Sequence, residues 1–442
     1  MISYCLCTFA NGLQWVTFSA IATKFGLHYN LESWKVNMFS LIYMIVYPFV
    51  CIPQGNLVDN YSTRLGIIIA SFCTILAGGL KVLINYHIAW CYIGQFMAAL
   101  FQPALINSPG KISANWFRED IRTLICTLCC LADTIGIFIG FLWNLMFINE
   151  NEEDSEKYKT QVFYYLLSEF ILSFVFCLPS FFITKNKPDI PPSPSQVEES
   201  RNISIENAKS TNLSLMQSIK VLFTNKRFIY LLISTFFVVG YYNVLGTIIN
   251  PLFELYSISG NDSSIIFFVS NALGMISSVI ISRIVDKNNK FKLSMIILCV
   301  LGTIFQILLT VFLEIFKPDD TIKEKSKKEF IIALIIYSLV STMSMPFFTI
   351  GMNYACEITY PVGESINGGI MMSASQISGI GGTFLCDYFI NNHSEKKWIS
   401  NLIMSLFFAV ACIFVFLFDD KLDRHEIDSN NNNNNNNNNE VI

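Results

Sequence analysis

Stretches of close to twenty apolar residues recur along this chain, and that recurrence constrains the fold more than any other feature. A helix that crosses a bilayer needs ~20 mainly apolar residues, because hydrocarbon offers no partner to an exposed peptide group. Twelve such runs are read at residues 4–25, 37–57, 65–84, 88–109, 122–147, 161–183, 228–250, 264–284, 292–316, 329–353, 366–390 and 398–418. They fall into two sets of six. Between the sets, Lys185 to Arg227 carries Pro188, Pro191, Pro192 and Pro194 and then a Ser/Asn/Glu-rich run. That composition reads as a disordered linker. Its end, Leu215 to Phe223, is mildly amphipathic and suits the membrane surface. The expected division is a first six-helix half (1–184), a cytoplasmic linker (185–227), a second half (228–418) and a disordered tail (419–442) ending in the Asn430 to Asn439 run.

Composition agrees with an all-α membrane protein. Only 14% of residues are charged, against about a quarter in soluble chains. No basic cluster interleaved with exposed aromatics points to nucleic acid. The thirteen cysteines lie almost entirely inside apolar runs and read as small buried groups. Cys126, Cys129 and Cys130 cluster, but no His or acid accompanies them, so neither metal nor cofactor is expected. P-loop, G-x-S-x-G and H-E-x-x-H patterns are absent, which argues against an ATP-driven pump or an intramembrane enzyme. The first run lacks a basic n-region and an A-x-A site, and reads as a span rather than a signal peptide.

The two halves echo one another. Gly55-x-Leu57-x-Asp59, followed by Arg64, closes the second span, and Ile284-Val285-Asp286, followed by Lys287 and Lys290, closes the eighth. The offset of 227 residues that carries Asp59 onto Asp286 also carries Trp15 onto Tyr242. Two such halves form the parallel-repeat arrangement of major facilitator transporters. Gly55, Asp59, Arg64 and Asp286 are read as gating-loop residues, the acids pairing with basic residues as the halves rock, with a simple stop-transfer turn as the bland alternative. Placing both termini in the cytoplasm puts most Lys and Arg inside, though five lysines between Lys317 and Lys328 fall outside. The sequons at Asn261 and Asn392 then face out, and those at Asn202 and Asn212 face in. The plasma membrane is favoured over an endomembrane.

Polar residues inside the spans mark the candidate site. Asn11 and Trp15 are four apart and stack on one helix face, with Gln14 at its edge. Asp133 sits mid-span in Leu131-Ala132-Asp133-Thr134, where a carboxylate is costly unless it is paired, hydrated or facing a cavity. It is a candidate for cation or proton coupling, with a structural carboxyl as the bland alternative. Glu169 is the weaker candidate, read near headgroup depth, and Lys81, near a span end, is read as snorkelling. Gln95 and Gln102, Tyr241, Tyr242 and Asn243, Ser338 to Ser344 and Gln376 complete the set. Each alone reads as interhelical glue. Together they would line a cavity rich in amides and aromatics, suited to a small organic cation or zwitterion. Gly136, Gly140 and the glycines between Gly368 and Gly382 read as close-packing or hinge positions.

Spread over nearly all of the chain, these residues resemble the feline leukaemia virus subgroup C receptor family, solute carrier family 49. The first-helix motif Asn11-Gly-Leu-Gln14-Trp15 carries the resemblance. So do Gly94-Gln95 through Gln102, Ser108-Pro109-Gly110-Lys111-Ile112 to Trp116-Phe117, and Glu357-Ile-Thr-Tyr360-Pro361-Val-Gly363-Glu364 with Gly368-Gly369 and Gln376. The resemblance implies a twelve-helix alternating-access carrier of choline and ethanolamine, with haem export also attributed to members. Matched residue by residue, it implies substrate contacts at Asn11, Trp15, Gln102 and Gln376. At the family's helix-seven tyrosine this chain has Asn243, with Tyr242 one residue before. Where relatives have Asn, it has Asp133. His28, His87, His393 and His425 all read as loop or tail residues, so no axial haem ligand lies mid-span. The expected partners are a small-molecule substrate (organic cation or haem) and the lipid bilayer, the protein itself being a monomer. A haem carrier and a non-transporting receptor or sensor are the alternatives.

Overall fold

The computed structural model describes residues 1–58, 62–117, 119–149, 152–186, 188, 215–288, 290–315, 327–359, 364–392 and 398–417. The first half contains α1 (Ile2–Trp15), α2 (Ala22–Tyr29), α3 (Ser33–Asn56), α4 (Thr63–Val82), α5 (Ala89–Leu100), α6 (Gln102–Ile106), α7 (Pro109–Trp116), α8 (Glu119–Trp143) and α9 (Ser155–Cys177). A surface helix, α10 (Leu215–Thr224), precedes the second half. That half contains α11 (Lys226–Glu254), α12 (Gly260–Asn288), α13 (Phe291–Ile315), α14 (Lys327–Ile358), α15 (Glu364–Asn392) and α16 (Trp398–Leu417). Among the described residues, eleven spans are long and apolar enough to cross a membrane. Helix α15 is not one of them; its 29 residues include five glycines and four serines, which lower its apolarity without shortening it.

Helix ends follow local chemistry. The Ser62 hydroxyl accepts from Leu65 N–H at 3.1 Å to cap α4, and Asn225 Oδ1 accepts from Arg227 and Phe228 N–H to cap α11. The first span breaks between α1 and α2, and the fourth between α5 and α6. Pro103 contributes to the second break, since it lacks an N–H for the Ala99 carbonyl and its ring crowds that group. The Gln54 amide of α3 then inserts into the opened turn. Its Oε1 accepts from Ala104 N–H at 3.0 Å and its Nε2 donates to the Leu100 carbonyl, replacing the Leu100–Ala104 backbone bond.

Helix packing repeats the internal symmetry. Helix α1 packs on α8 and α9 as α11 packs on α15 and α16; α4 packs on α5 and α9 as α13 packs on α14 and α16. Glycines allow the closest approaches: a Cβ on Gly136 would lie 2.1 Å from the Phe9 carbonyl oxygen, and one on Gly379 2.8 Å from Asn243 Cβ. Gly381, by contrast, faces open space. Phe49, Phe72, Ile171, Ile280 and Ile304 stand exposed around the bundle, the lipid-facing surface such a fold requires.

The halves meet through α3 against α15 and α8 against α12. Their hydrogen bonds and ring contacts gather at the end remote from Ile2 and Leu417. There Ser33 Oγ and Asn37 Nδ2 of α3 donate to Asp387 Oδ1 of α15 at 2.5 and 2.9 Å. Asn250 Nδ2 of α11 donates to the Ala20 carbonyl at 2.8 Å, and Phe141 of α8 lies 4.2 Å from Phe267 of α12. On the α8 stripe that faces the second half, Ile137 and Phe141 are buried, Asp133 and Thr134 are partly exposed, and Cys130 is exposed. Along that stripe the packing loosens from Phe141 and Ile137 to Asp133 and Cys130, while α3 and α15 stay close as far as Cys51, whose Sγ would lie 3.0 Å from a Cβ on Gly369.

The stretch read as lying on the membrane surface forms α10, and its Leu222 is fully buried against the bundle. His28, read as a loop residue, lies in α2, stacked 4.2 Å from Tyr158. Asp59, linker residues 189–214 with both their sequons, Tyr360 to Gly363, His393 and the 419–442 tail lie outside the described residues.

Candidate functional site

Trp15 ends α1 and reaches toward the other half. A Cβ on Gly246 of α11 would meet its indole Cη2 at 3.1 Å, so glycine leaves the space the ring fills. The indole is nearly buried and its Nε1–H has no partner. Gly246 lies one helical turn beyond Tyr242, the residue the repeat offset pairs with Trp15. Tyr242 itself is partly exposed, its ring 6.1 Å from Phe267. Next to it, Asn243 Nδ2 donates to Gln376 Oε1 at 3.3 Å and to the Ser375 carbonyl at 3.2 Å, tying α11 to α15. Gln102, just past the α5–α6 break, is buried, and its amide makes no hydrogen bond among the described residues. Trp15 thus meets α11 across the halves at Gly246, within a turn of Tyr242 and of the Asn243 that bonds Gln376.

Asn11 and Gln14 sit differently. Asn11 Nδ2 donates to Thr74 Oγ1 at 3.2 Å and to the Ala98 carbonyl at 3.0 Å. Gln14 Nε2 donates to the Thr74 carbonyl at 3.0 Å and to Ser173 Oγ at 2.7 Å. Both amides therefore direct their donors into the first half, against α4, α5 and α9. Each keeps an unpartnered carbonyl oxygen.

Asp133 lies against α1, where a Cβ on Gly12 would stand 2.9 Å from its Oδ1. That oxygen is buried without a partner, and no ion pair or hydrogen bond to the carboxylate occurs among the described residues. Its charge acts electrostatically on the hydroxyls of Tyr4, Tyr43, Tyr47 and Tyr242, drawn from α1, α3 and α11. The hydroxyl of Tyr43 is also buried and unpartnered, whereas that of Tyr47 lies beside Cys51 and Asn107. The unsatisfied Asp133 oxygen, Tyr43 hydroxyl and Trp15 N–H, from three helices, are groups that a polar ligand between the halves would complete.

Three groups escaped the linear reading. Lys81 does not snorkel and Glu169 is not at the headgroups: both are fully buried, with Lys81 Nζ 3.4 Å from Glu169 Oε2. Thr17 Oγ1 joins them, 2.8 Å from Glu169 Oε2 and 3.2 Å from Lys81 Nζ, while Tyr165 OH donates to the Thr17 carbonyl at 3.1 Å. This network holds the break in the first span, two residues past Trp15. Gln54 and Asp387 are the other two. Opposite charges in two spans and a carboxylate late in α15 were visible signals, but their partners depend on which helices pack side by side.

Gly55 has open space around it. Arg64 donates its backbone N–H to Asn186 Oδ1 at 3.2 Å, and Asp286 lies near the end of α12. At the remote end, a shallow cleft between the halves is lined by Lys24, Asn144, Asn250 and Glu254 and contains none of the expected site residues.

Comparison with known proteins gives the family. Residues 1–317 match the family model described as Major Facilitator Superfamily. The Choline/ethanolamine transporter FLVCR1 of Felis catus is 22% identical over 97% of this chain and 73% of its own length. The Choline/ethanolamine transporter flvcr2a of Danio rerio is 23% identical, covering 96% and 86%. An uncharacterised MFS-type transporter of Caenorhabditis elegans, C09D4.1, is 24% identical, covering 95% and 68%. The two choline/ethanolamine transporters carry the name of the family that the sequence motifs suggested. Among solved structures, the inward open xylose transporter XylE from E. coli superposes with a TM-score of 0.68 at 13% identity, covering 94% of each chain. The outward fucose transporter FucP superposes with 0.58 at 16%, covering 94% and 98%. With its twelve-helix, two-half architecture, this multi-pass membrane transporter belongs to the major facilitator superfamily.

Proposed function

We propose that this transporter moves a small organic ammonium solute of the choline/ethanolamine kind by alternating access. The observation that carries the reading is the layer between the halves, where the Trp15 indole faces α11 beside Tyr242 and the Asn243–Gln376 amide pair. Aromatic faces attract a desolvated cation and amide dipoles orient it. The names of the relatives support the same class. In this reading Trp15, Gln102, Tyr242, Asn243 and Gln376 contact the substrate. Asn11 and Gln14 brace the wall behind it, since their donors are engaged within the first half.

Both termini lie in the cytoplasm and the protein works at the plasma membrane, so the end sealed by Asp387 and Asn250 faces outward. Gly55, Asp59, Arg64 and Asp286 gate the opposite end. Uptake of labelled choline and ethanolamine into cells expressing wild type or Trp15→Ala tests the reading. Loss of the indole is expected to lower apparent affinity about tenfold or more, the worth of a desolvated cation–π contact. Equal uptake by the two proteins would remove Trp15 from the site.

A further inference from the structure

We propose that Asp133 makes this carrier selective for primary ammonium solutes over their fully methylated, quaternary counterparts. This rests on the carrier reading above and names the ammonium class that the same site prefers.

On α8, the stripe formed by Cys130, Asp133, Thr134, Ile137 and Phe141 faces the second half. Its outer part is sealed, with Phe141 against Phe267, while the segment holding Asp133 is partly exposed. The other exposed stripe of the helix, through Leu128 and Ile135, lies on the opposite, lipid-facing side. The partial exposure of Asp133 therefore opens between the halves and not toward lipid.

One oxygen of the Asp133 carboxylate is buried against Gly12, and no cation of the protein meets it among the described residues. The buried carboxylate in the same half, Glu169, already has Lys81 and Thr17. An anion left unpaired at mid-membrane depth is costly and marks a place that a ligand completes. The charge of Asp133 reaches the hydroxyls of Tyr43, Tyr47 and Tyr242, from both halves, and that of Tyr43 is buried without a partner.

That array distinguishes ammonium ions by their hydrogens. A primary ammonium has three N–H donors, each of which loses water on entering the crevice and needs an acceptor there. Asp133 supplies a charged acceptor, and tyrosine oxygens supply neutral ones. A trimethylammonium has no donor; it gains from the aromatic faces and from the bare charge but makes no hydrogen bond to the carboxylate. Each methyl group added to the nitrogen removes one donor and holds the charge farther from the oxygen.

The test is the methylation series ethanolamine, N-methylethanolamine, N,N-dimethylethanolamine and choline. KM for uptake is measured into proteoliposomes holding wild type, Asp133→Asn or Asp133→Glu. Wild-type KM is expected to rise at each step of the series. In Asp133→Asn, the choline-to-ethanolamine KM ratio is expected to fall about tenfold, the worth of one charge-assisted hydrogen bond. Asp133→Glu is expected to keep the wild-type order. A flat series in wild type overturns the proposal without any variant, and so does an unchanged ratio in Asp133→Asn. An unchanged ratio together with loss of stimulation by a pH gradient also overturns it, and makes the carboxylate a proton carrier. Failure of wild type to take up all four amines overturns the carrier reading itself.

Discussion

Lys81 and Glu169 form a pair with no exposure to solvent or lipid, 3.4 Å apart and joined through Thr17 to the break that follows Trp15. A buried ion pair adds little net stability, but removing one partner strands a charge at a cost of about 3–5 kcal/mol. Lys81→Met and Glu169→Leu alone should each lower the melting temperature of the detergent-solubilised protein, and the double variant should recover most of the loss. Additive losses would mean that the two residues do not act as a pair. The sequence shows two opposite charges in two apolar runs, and nothing in either run tells that α4 and α9 lie together. Position along the chain suggested a snorkelling lysine. What reverses that is Gly94, where a Cβ would meet Lys81 Cγ at 2.8 Å, so its absence makes room for the lysine stem inside the half. Trp15, Asn243 and Gln376 were legible one by one because an indole or an amide in an apolar helix stands out without any knowledge of neighbours, whereas the bond between the two amides was not.

The broken fourth span shows how one element positions the site. Pro103 is visible in the sequence and accounts for the break, whereas the Gln54 amide that replaces the Leu100–Ala104 backbone bond arrives from α3 and is not. The break sets the direction of Gln102, which lies beside it. Alanine at position 103 restores an N–H to the Ala99 carbonyl and lets α5 and α6 run on as one helix. Pro103→Ala is therefore expected to reduce uptake severalfold while leaving the melting temperature within about 2–4 °C of wild type. Unchanged uptake would show that the break does not position Gln102. Helix α15 makes a related point. Its glycines lower its apolarity as a span yet allow the approach to Asn243 that forms the amide pair.

For the molecule as a whole, the two six-helix sets and their repeat could be read from run length and the 227-residue offset, because both are periodic properties of the chain. Which end is closed could not, since it depends on contacts between residues far apart, such as Asp387 with Ser33 and Asn37. Removing that clamp should loosen the sealed end. A cysteine placed at Ala20, beneath the Asn250 contact, is expected to resist a membrane-impermeant thiol reagent applied outside cells and to react severalfold faster when Asp387→Ala is added. Equal rates would mean that the clamp does not hold the closed state. The central claim is that the Trp15 layer binds a small ammonium solute and carries it across, and counterflow in proteoliposomes of the purified protein tests it most directly. Vesicles loaded with unlabelled ethanolamine are predicted to accumulate labelled ethanolamine transiently above equilibrium with wild type, and to lose that overshoot with Trp15→Ala. Saturable binding of ethanolamine without any overshoot in wild type would contradict the account and point to a receptor.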